Sequence, residues 1–232
     1  MVCLRVGEYM EVPSMTISIH QPAYIPWMGY FNKIKNSDLF VLLDTVNYSK
    51  NSFDNRNKIV VNGQEEWLTI PIKTAGLFQS DNLRYTNLEF AELFFDKHWV
   101  RIKKAYKNAP YWNEYKDELK AIYSQIGIER FINFVQPLTE WFLTKLDIKT
   151  PIVKVSSLDL DLGAKDDLVL NLCKHFKADT YLSGIMGKGY LRLEKFEKEG
   201  ISVKFQDYLA PNNLSILHNL LTNGAQWIKN NL

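Results

Sequence analysis

The order of elements over residues 16–46 constrains the fold more than any other feature of the sequence. TISIHQ is a short β-rich run, and LFVLLDTV is a continuous apolar run of strand length. Between them, GYFNKIKNSD places Tyr30, Phe31 and Ile34 at helical spacing. Continuous apolar runs are typical of strands that are covered on both faces, as in parallel sheets. A strand, a short helix and a second strand in about 30 residues form a βαβ unit, which predicts an α/β protein.

The rest of the chain repeats this alternation around a helical middle. NKIVVNGQEEWLTIPI has an Asn-Gly pair between two β-rich runs, which predicts a hairpin. Residues 88–146 carry apolar positions at helical spacing and are predicted to be mostly helical. Strand and helix patterns alternate again over residues 151–208. We therefore predict one α/β domain over residues 15–232, preceded by a disordered extension at residues 1–14.

The two α/β segments are expected to share one sheet. The predicted architecture is therefore a mostly parallel sheet in a Rossmann-like arrangement of three layers, with the helical segment inserted as a cap. Ligands of such folds bind in a crevice beside the sheet, so a cleft between sheet and cap is the expected place for a site.

Composition narrows the class of function. The net charge of +2 gives no general attraction for nucleic acid. No run of about 18 apolar residues occurs and no signal peptide is recognisable, so we expect a cytoplasmic protein without a membrane span. Two cysteines, Cys3 and Cys173, do not make a disulfide framework. Aromatic residues make up 13% of the chain, which favours a cleft for a small-molecule substrate. The oligomeric state stays open.

His20 stands at the carboxyl end of the first predicted strand, where open parallel sheets bind their ligands. An imidazole there can act as an acid, a base or a donor to phosphate. The alternative is a hydrogen bond to a loop carbonyl and nothing more. Two prolines stiffen the following loop, and the helix start at Gly29 offers backbone N–H groups to an anion. The candidate ligand contacts in this stretch are Gln21, Tyr24, Trp27 and Tyr30.

A second group of candidates follows the second predicted strand. Asp44 ends the run FVLLD at the edge of the sheet, where a carboxylate can serve a ligand or cap a turn. Arg56 offers a planar fork for carboxylate or phosphate, although an isolated Arg in a polar loop is commonly solvated. Asn47 and Asn57 lie near them in the sequence and complete this group of candidate contacts.

The stretch YLSGIMGKGYL suggests an anion-binding loop after a later strand. Small residues let backbone amides approach a phosphate or carboxylate, and the lysine adds a positive charge. The spacing does not fit the P-loop pattern, and a plain connection between strand and helix is the alternative. The candidate contacts here are Ser183, Gly184, Lys188 and Tyr190, with Asp207 at the end of the last predicted strand.

Several common site motifs are missing from the sequence. No H-x-x-x-H or C-x-x-C occurs, so no metal site is expected. The lack of G-x-S-x-G argues against an α/β-hydrolase. No G-x-G-x-x-G follows the first strand, so a Rossmann dinucleotide site is not expected. The cofactor is left unknown, with a nucleotide or an acyl carrier as the options.

Several blocks of the sequence, taken in order, resemble the WbqC-like family of bacterial proteins. They are IHQPAYIPWMGYFNKI, FVLLDTVNYSKNSFDNRNKI, WLTIPI, ADTYLSGIMGKGYL and ISVKFQDY, and the resemblance runs from about Thr16 to the C-terminus. Members of this family occur among genes for O-antigen and other surface polysaccharides. The resemblance implies transfer of glycine or a related acyl group to an amino sugar.

One block departs from the family pattern. Members close with LSILDLLFNxG, whereas this chain reads LSILHNLLTNG, which places His218 where the family has Asp. If that Asp contributes to the function of the family, this chain differs from other members in its substrate or its activity. A more distant likeness connects the first βαβ unit to nucleotidyltransferases of the HUP class, whose loop carries HxGH. Alignment on Gly29 puts Trp27 and Tyr30 at the two histidine positions, where neither ring can hold nucleotide phosphates as imidazole does.

The first expectation is an acyl- or aminoacyltransferase that acts on the amine of a nucleotide-linked amino sugar. His20 would be the base that takes the proton of the amine, with Asp44 as the alternative. Backbone amides over residues 183–187, together with Lys188, would stabilise the oxyanion.

The remaining candidates would hold the substrate. Arg56 and Lys188 could bind a diphosphate, while Tyr24 and Trp27 would stack on a sugar or a base. Two other hypotheses stay open: a HUP-type nucleotidyltransferase or ATP-dependent ligase, and a non-catalytic protein that binds a sugar or a nucleotide.

Overall fold

The chain is an α/β protein built on a parallel sheet of five strands, with a separate antiparallel sheet of two strands. This confirms the predicted fold class. The computed structural model describes residues 14–50, 52–75, 83–125, 127–160 and 162–232. The extension predicted at residues 1–14 lies outside the described residues except for Ser14, so it stays a prediction.

The strands follow the β-branched and aromatic runs of the sequence, whose side chains pack well on a pleated surface. In chain order they are β1 (Thr16–His20), β2 (Leu39–Leu42), β3 (Arg56–Val61), β4 (Gln64–Thr69), β5 (Ile152–Lys154), β6 (Thr180–Ser183) and β7 (Ser202–Phe205). β2 is buried along its whole length, as predicted for a strand that is covered on both faces.

The five-stranded sheet has the order β5-β2-β1-β6-β7, and each neighbouring pair in it is parallel. β1 lies at the centre, where Ile17 is opposite Leu39 on one side and Tyr181 on the other. The chain runs from β1 through β2 to β5, and then returns to build β6 and β7 on the other side. The strand order therefore reverses between β1 and β6, and doubly wound sheets bind their ligands at such a point.

Helices and strands alternate, except that β2, β3 and β4 follow one another directly and three helices lie between β4 and β5. They are α1 (Met28–Lys35), α2 (Phe95–Tyr106), α3 (Trp112–Ile122), α4 (Phe131–Lys145), α5 (Lys165–His175), α6 (Leu193–Lys198) and α7 (Ile216–Asn230). Two short 3₁₀ helices, Val155–Ser157 and Ile185–Gly189, follow β5 and β6.

Apolar side chains cover both faces of the five-stranded sheet, which gives the predicted three layers. On one face, helices α1–α4 and α7 pack with Phe40 and Leu42 of β2. On the other face, α5 and α6 pack with Ile17, Ile19 and Val41. Successive side chains of a strand point to opposite faces, so β2 contributes to both cores. Each apolar side chain buried in these cores contributes about 1.5–3 kcal/mol.

β3 and β4 form the hairpin that the Asn-Gly pair predicts. Asn62 and Gly63 have φ angles of 52° and 78°, the left-handed conformation that a tight two-residue turn needs at both positions. Ile59 and Leu68 of the hairpin are buried in the same core as α1–α4. The hairpin therefore extends the layer on that face of the sheet.

The helical segment predicted over residues 88–146 consists of α2, α3 and α4 and begins later, at Phe95. Phe134, Leu138 and Phe142 of α4 are buried beside α1 and the sheet. The segment is thus part of one layer that flanks the sheet. Within the described ranges, the helices are too short or too polar to cross a membrane.

Candidate functional site

A cavity of about 350 Å³ opens at the point where the strand order reverses. Its wall is formed by the end of β1, the start of α1, the residues after β6 and a loop residue after β7. None of its described lining residues belongs to α2–α4, so it is not the cleft that we expected between sheet and helical segment. The predicted site residues that line it are His20, Gln21, Trp27, Tyr30, Gly184 and Tyr190.

His20 ends β1, and its half-buried ring forms part of the cavity wall. Its Nδ1 lies 3.0 Å from the carbonyl oxygen of Gln21, which can only accept, so Nδ1 carries the proton. Burial, together with the positive charge of Lys33, lowers the pKa of His20 to about 3. The imidazole is therefore neutral near pH 7, and its Nε2 can accept a hydrogen bond from a ligand.

Aromatic rings flank His20 on the wall of the cavity. The rings of Trp27 and Tyr30 meet it edge to face, with centroids 5.7 Å and 5.0 Å from its own. Gly29 packs under the indole, because a Cβ at this position would lie 2.9 Å from Trp27 Nε1. The glycine predicted to open a helix start to an anion thus has a steric role: it leaves room for the indole.

A strained loop holds this aromatic wall in place. Ile25 has a φ of 40°, which is rare for a β-branched residue and costs about 1–3 kcal/mol. The buried Asn57 side chain donates to the Ile25 carbonyl oxygen at 2.8 Å. The neighbouring backbone is tied by Tyr24 N–H to the Asp54 carbonyl at 2.7 Å. Asn57, predicted as a ligand contact, instead fixes the loop that carries Trp27.

Lys33 lines the cavity and was missed by sequence reasoning. It lies one helical turn after Gly29, and only 3% of it is exposed. Its Nζ donates to the carbonyl oxygen of Ile19, the residue before His20, at 3.1 Å. Burial lowers the pKa of Lys33 to about 7. The helical period was the available signal, because Tyr30 and Lys33 are three residues apart and share one helix face.

Gln206 is a second lining residue that the sequence did not single out. Its Nε2 donates to the Gly29 carbonyl oxygen at 2.8 Å and to Asn32 Oδ1 at 2.6 Å. These bonds tie the loop after β7 to α1, so Gln206 closes one side of the cavity.

The segment YLSGIMGKGYL forms the opposite wall through Gly184, Met186 and Tyr190. The amide of Gly187 donates to the Gly184 carbonyl oxygen at 2.9 Å within the 3₁₀ helix. A Cβ at Gly187 would collide with Ser183 Oγ, so close packing accounts for this glycine. The Gly187 amide is used inside the turn, which corrects the prediction that it serves an oxyanion.

Three candidates near this wall do not line the cavity. Ser183 is buried and its hydroxyl donates to a neighbouring backbone carbonyl. The ammonium of Lys188 lies 5.4 Å from the centroid of the Phe205 ring. Asp207 is exposed in the loop after β7. Of the side chains and glycines proposed as contacts in this loop, Gly184 and Tyr190 line the cavity, and Ile185, Met186 and Gly187 of the same loop line it with them.

Asp44, the alternative base, is also placed elsewhere. It is buried, and its carboxylate accepts hydrogen bonds from the Ser156 backbone N–H at 2.9 Å and the Ser156 hydroxyl at 2.5 Å. These bonds fix the 3₁₀ helix after β5. Asp44 is therefore a structural carboxylate, the turn-capping alternative of the sequence prediction.

Tyr24 belongs to the core and cannot stack on a ligand. Its side chain is completely buried, and its hydroxyl lies 2.9 Å from His98 Nδ1 and 2.6 Å from the Tyr123 hydroxyl. The sequence could not separate Tyr24 from Trp27, because both are aromatic residues in the same loop.

Arg56 and Asn47 lie away from the cavity beside His20. Arg56 lines a separate, smaller cavity of about 220 Å³ together with Tyr48 and Asn55. Its guanidinium lies 4.4 Å from the centroid of the Trp67 ring. Asn47 is exposed. We take the cavity beside His20 as the candidate site because it lies at the reversal of the strand order and gathers more of the predicted residues.

His218, which stands where the family pattern has Asp, lies on α7. Its Nδ1 is 3.2 Å from the Tyr106 hydroxyl, and burial lowers the pKa of its imidazole. It does not line the cavity. The departure from the family pattern therefore falls outside the candidate site.

The cavity offers a neutral imidazole, an amine, aromatic rings and backbone carbonyls. This set can accept a proton from a ligand N–H and pack against a sugar or a base. In the described part of the chain, no group of three or more His, Cys, Asp or Glu side chains is placed to hold a metal ion.

Known proteins match most of the chain. A model of the WbqC-like protein family matches residues 21–228, a range that includes Trp27, Tyr30 and Lys33 and starts directly after His20. The uncharacterized protein Rv1507c of Mycobacterium tuberculosis is 29% identical over 193 residues, which cover 83% of this chain and 82% of that protein. No solved structure matches the chain.

Proposed function

The chain belongs to the WbqC-like protein family, and on this premise we propose that it transfers an acyl or aminoacyl group to the amine of a nucleotide-linked amino sugar. The family resemblance supports a role in the assembly of O-antigen or another surface polysaccharide. One structural observation carries the proposal: the cavity at the reversal of the strand order, which brings His20 together with Lys33 and an aromatic wall.

The size and lining of the cavity suit the reacting end of such a substrate. Its volume of about 350 Å³ is at the lower end of the range for small-molecule sites. The amino sugar and the acyl group would occupy the cavity, while the nucleotide extends through its opening. Trp27 and Tyr30 would pack against the apolar face of the sugar ring.

His20 is the proton acceptor in this proposal. Its Nδ1–H is held by the Gln21 carbonyl, so Nε2 is left to accept the proton of the attacking amine. The lowered pKa makes the imidazole a weak base in the empty cavity. An anionic group of the substrate beside the ring would raise this pKa and strengthen the base.

The transfer consists of an addition and an elimination at the acyl carbon. The nitrogen of the amino sugar attacks the carbonyl carbon of an activated donor R–CO–X, so an N–C bond forms and the carbonyl oxygen becomes an oxyanion. His20 Nε2 takes the proton from nitrogen. The C–X bond then breaks, the carbonyl re-forms, and the proton passes from His20 to X. No electrons are gained or lost.

A nucleotidyltransferase of the HUP type is the weaker alternative. Such enzymes hold phosphates with the two imidazoles of HxGH, and Trp27 and Tyr30 occupy those positions here. Both rings form a wall against His20, and neither side chain carries a positive charge.

A mass-shift assay tests the proposal. The protein is incubated with a panel of nucleotide-linked amino sugars and activated acyl donors, and products are detected by mass spectrometry. We expect an acylated sugar with the wild type, its loss in His20→Asn, and normal yield in His175→Ala, which changes an exposed histidine on α5. Binding of a sugar nucleotide without any product would identify a non-catalytic binding protein and refute the transferase.

A further inference from the structure

The cavity beside His20 contains a buried lysine without an acidic partner. Of the lining residues that the structure describes, none is Asp or Glu. The Lys33 ammonium donates to the Ile19 carbonyl oxygen at 3.1 Å, and no Asp or Glu of the described residues forms an ion pair with it. Burial of a charge is costly unless the charge is paired, so this arrangement needs an explanation.

Asp166, another buried charged residue, is paired with a side chain of opposite charge. The Asp166 side chain is 5% exposed, and Arg192 binds it through Nε at 2.6 Å and Nη2 at 2.7 Å. The pair is bidentate, a geometry that compensates for the lost solvation of the carboxylate. Lys33 has no such compensation from the described residues, but it lines a cavity that opens to solvent.

We infer that the Lys33 ammonium is the counter-ion of an anionic ligand group, a phosphate or a carboxylate, that binds in the cavity beside His20. The inference builds on the proposed function, because a nucleotide-linked acceptor carries a diphosphate and an aminoacyl donor can carry a carboxylate. It also replaces an expectation from the sequence. Arg56 and Lys188, predicted to hold the diphosphate, do not line this cavity.

Proton uptake is the signature of this pairing. The titratable groups that line the cavity with Lys33, among the described residues, are His20 on β1, Tyr30 on α1, Tyr181 on β6 and Tyr190 beyond it. Burial raises the pKa of each phenol above its ordinary value, so the tyrosines are neutral at pH 8. Since the pKa of Lys33 is about 7, the free amine is mostly neutral at pH 8. An anion that binds it must bring a proton with it.

Isothermal titration calorimetry at pH 8 tests the inference with three probes: inorganic pyrophosphate, a uridine diphosphate and glycine. Titrations in two buffers of different ionisation enthalpy measure the protons taken up. We expect at least one probe to bind with uptake of close to one proton. Lys33→Met and Lys33→Gln should lower the affinity for that probe about tenfold, because one charge-assisted hydrogen bond is lost. Both variants should also abolish the proton uptake.

Lys35→Met is the matched control, because Lys35 lies on the same helix and also donates to a backbone carbonyl, that of Lys229 at 3.2 Å. It lines a different basic cavity of about 390 Å³ with Lys149 and Lys229. This variant should bind the probe like the wild type. Pyrophosphate and uridine diphosphate binding without glycine binding would identify the anion as phosphate, and the reverse would identify a carboxylate.

Two results would overturn the inference: no binding of any probe at millimolar concentration, or binding that the Lys33 variants retain at wild-type strength or that is lost in Lys35→Met instead. The outcome is separate from that of the transfer assay. Anion binding at Lys33 without any transfer product would refute only the proposed transferase. Transfer that survives unchanged in Lys33→Met would refute only the anion subsite.

Discussion

His20 and His98 both lie among aromatic rings, but their ring nitrogens have different partners. Nδ1 and Nε2 of His98 each lie 2.9 Å from a partner in the core, the Tyr24 hydroxyl and the Thr69 carbonyl oxygen. Within the described residues, His20 bonds through Nδ1 alone, to the Gln21 carbonyl, and its ring lines a cavity.

This difference separates a structural histidine from one that can act on a ligand. A ring whose two nitrogens are both bonded to the protein satisfies buried polar groups and stabilises the core. A neutral ring that lines a cavity and keeps one nitrogen without a bond to the described residues can accept a proton. Our central claim is that the chemistry takes place at His20, whereas His98 holds the core together.

The largest expected effect is on activity at His20. His20→Asn keeps a side-chain donor near the Gln21 carbonyl but has no nitrogen in place of Nε2. We expect transfer to fall by about 10²–10⁴-fold, the usual contribution of a general base, with little change in stability. Steady-state rates and thermal denaturation measure the two quantities. Full activity of His20→Asn would contradict the proposed role of His20 as the base.

Removal of His98 should lower the stability of the protein, whereas removal of His20 should lower its activity. His98→Ala leaves the Tyr24 hydroxyl and the Thr69 carbonyl without this partner and opens a cavity in the core. We expect the free energy of unfolding to fall by about 3 kcal/mol. Urea denaturation measures the change, with the exposed His175→Ala expected within about 0.5 kcal/mol of the wild type. A loss of stability as small as that of His175→Ala would contradict the structural role.

The buried charge beside His20 predicts an unusual pH dependence. Between about pH 7 and the ordinary lysine pKa of 10.5, the unfolded chain keeps a proton on Lys33 that the folded chain loses, so stability rises with pH over this window. Lys33→Met should flatten this rise and stabilise the ligand-free protein at pH 7 by roughly 1–4 kcal/mol. Denaturation curves at several pH values measure both. A destabilised Lys33→Met with the wild-type pH slope would show that burial does not strain this lysine.

A smaller effect is expected at Gly29, under the indole that flanks His20. In Gly29→Ala the new Cβ would lie 2.9 Å from Trp27 Nε1, so the indole must shift. Alanine also favours the helix by about 0.5–1 kcal/mol. We therefore expect a severalfold weaker substrate affinity with stability equal to or above that of the wild type. Gly189→Ala, whose Cβ would meet no atom within 4 Å, is the control. If Gly29→Ala and Gly189→Ala bind the substrate with equal affinity, the aromatic wall has no role in binding.

The sequence predicts the fold better than the site, because fold signals are local. The apolar run of β2 and the Asn62-Gly63 turn each specify their own element, and the structure confirms both. Helix α7 was not predicted, since it is interrupted at Gly224, where φ is 82° and the Tyr111 ring leaves no room for a Cβ. That contact joins distant parts of the chain and leaves no local pattern.

The sequence places His20 beside the cavity but does not single out Lys33 and Gln206, which also line it. His20 was placed by a general property of parallel sheets, the position of ligands beyond the strand ends. Lys33 was missed because its burial depends on the tertiary contact with the Ile19 carbonyl. The sequence predicts Asp44 as a site residue because its partner, Ser156, is 112 residues away and gives no local signal. Charge and position in the sequence do not show which buried groups already have partners.

NMR of the histidine side chains gives the most direct test of the comparison. The protein is labelled with ¹⁵N-histidine and titrated with a UDP-linked amino sugar at pH 7. We predict that the Nε2 resonance of His20 shifts on binding, while both nitrogens of His98 keep their resonances. Saturable binding that leaves His20 unchanged, or that moves His98 instead, would contradict the claim that the chemistry takes place at His20.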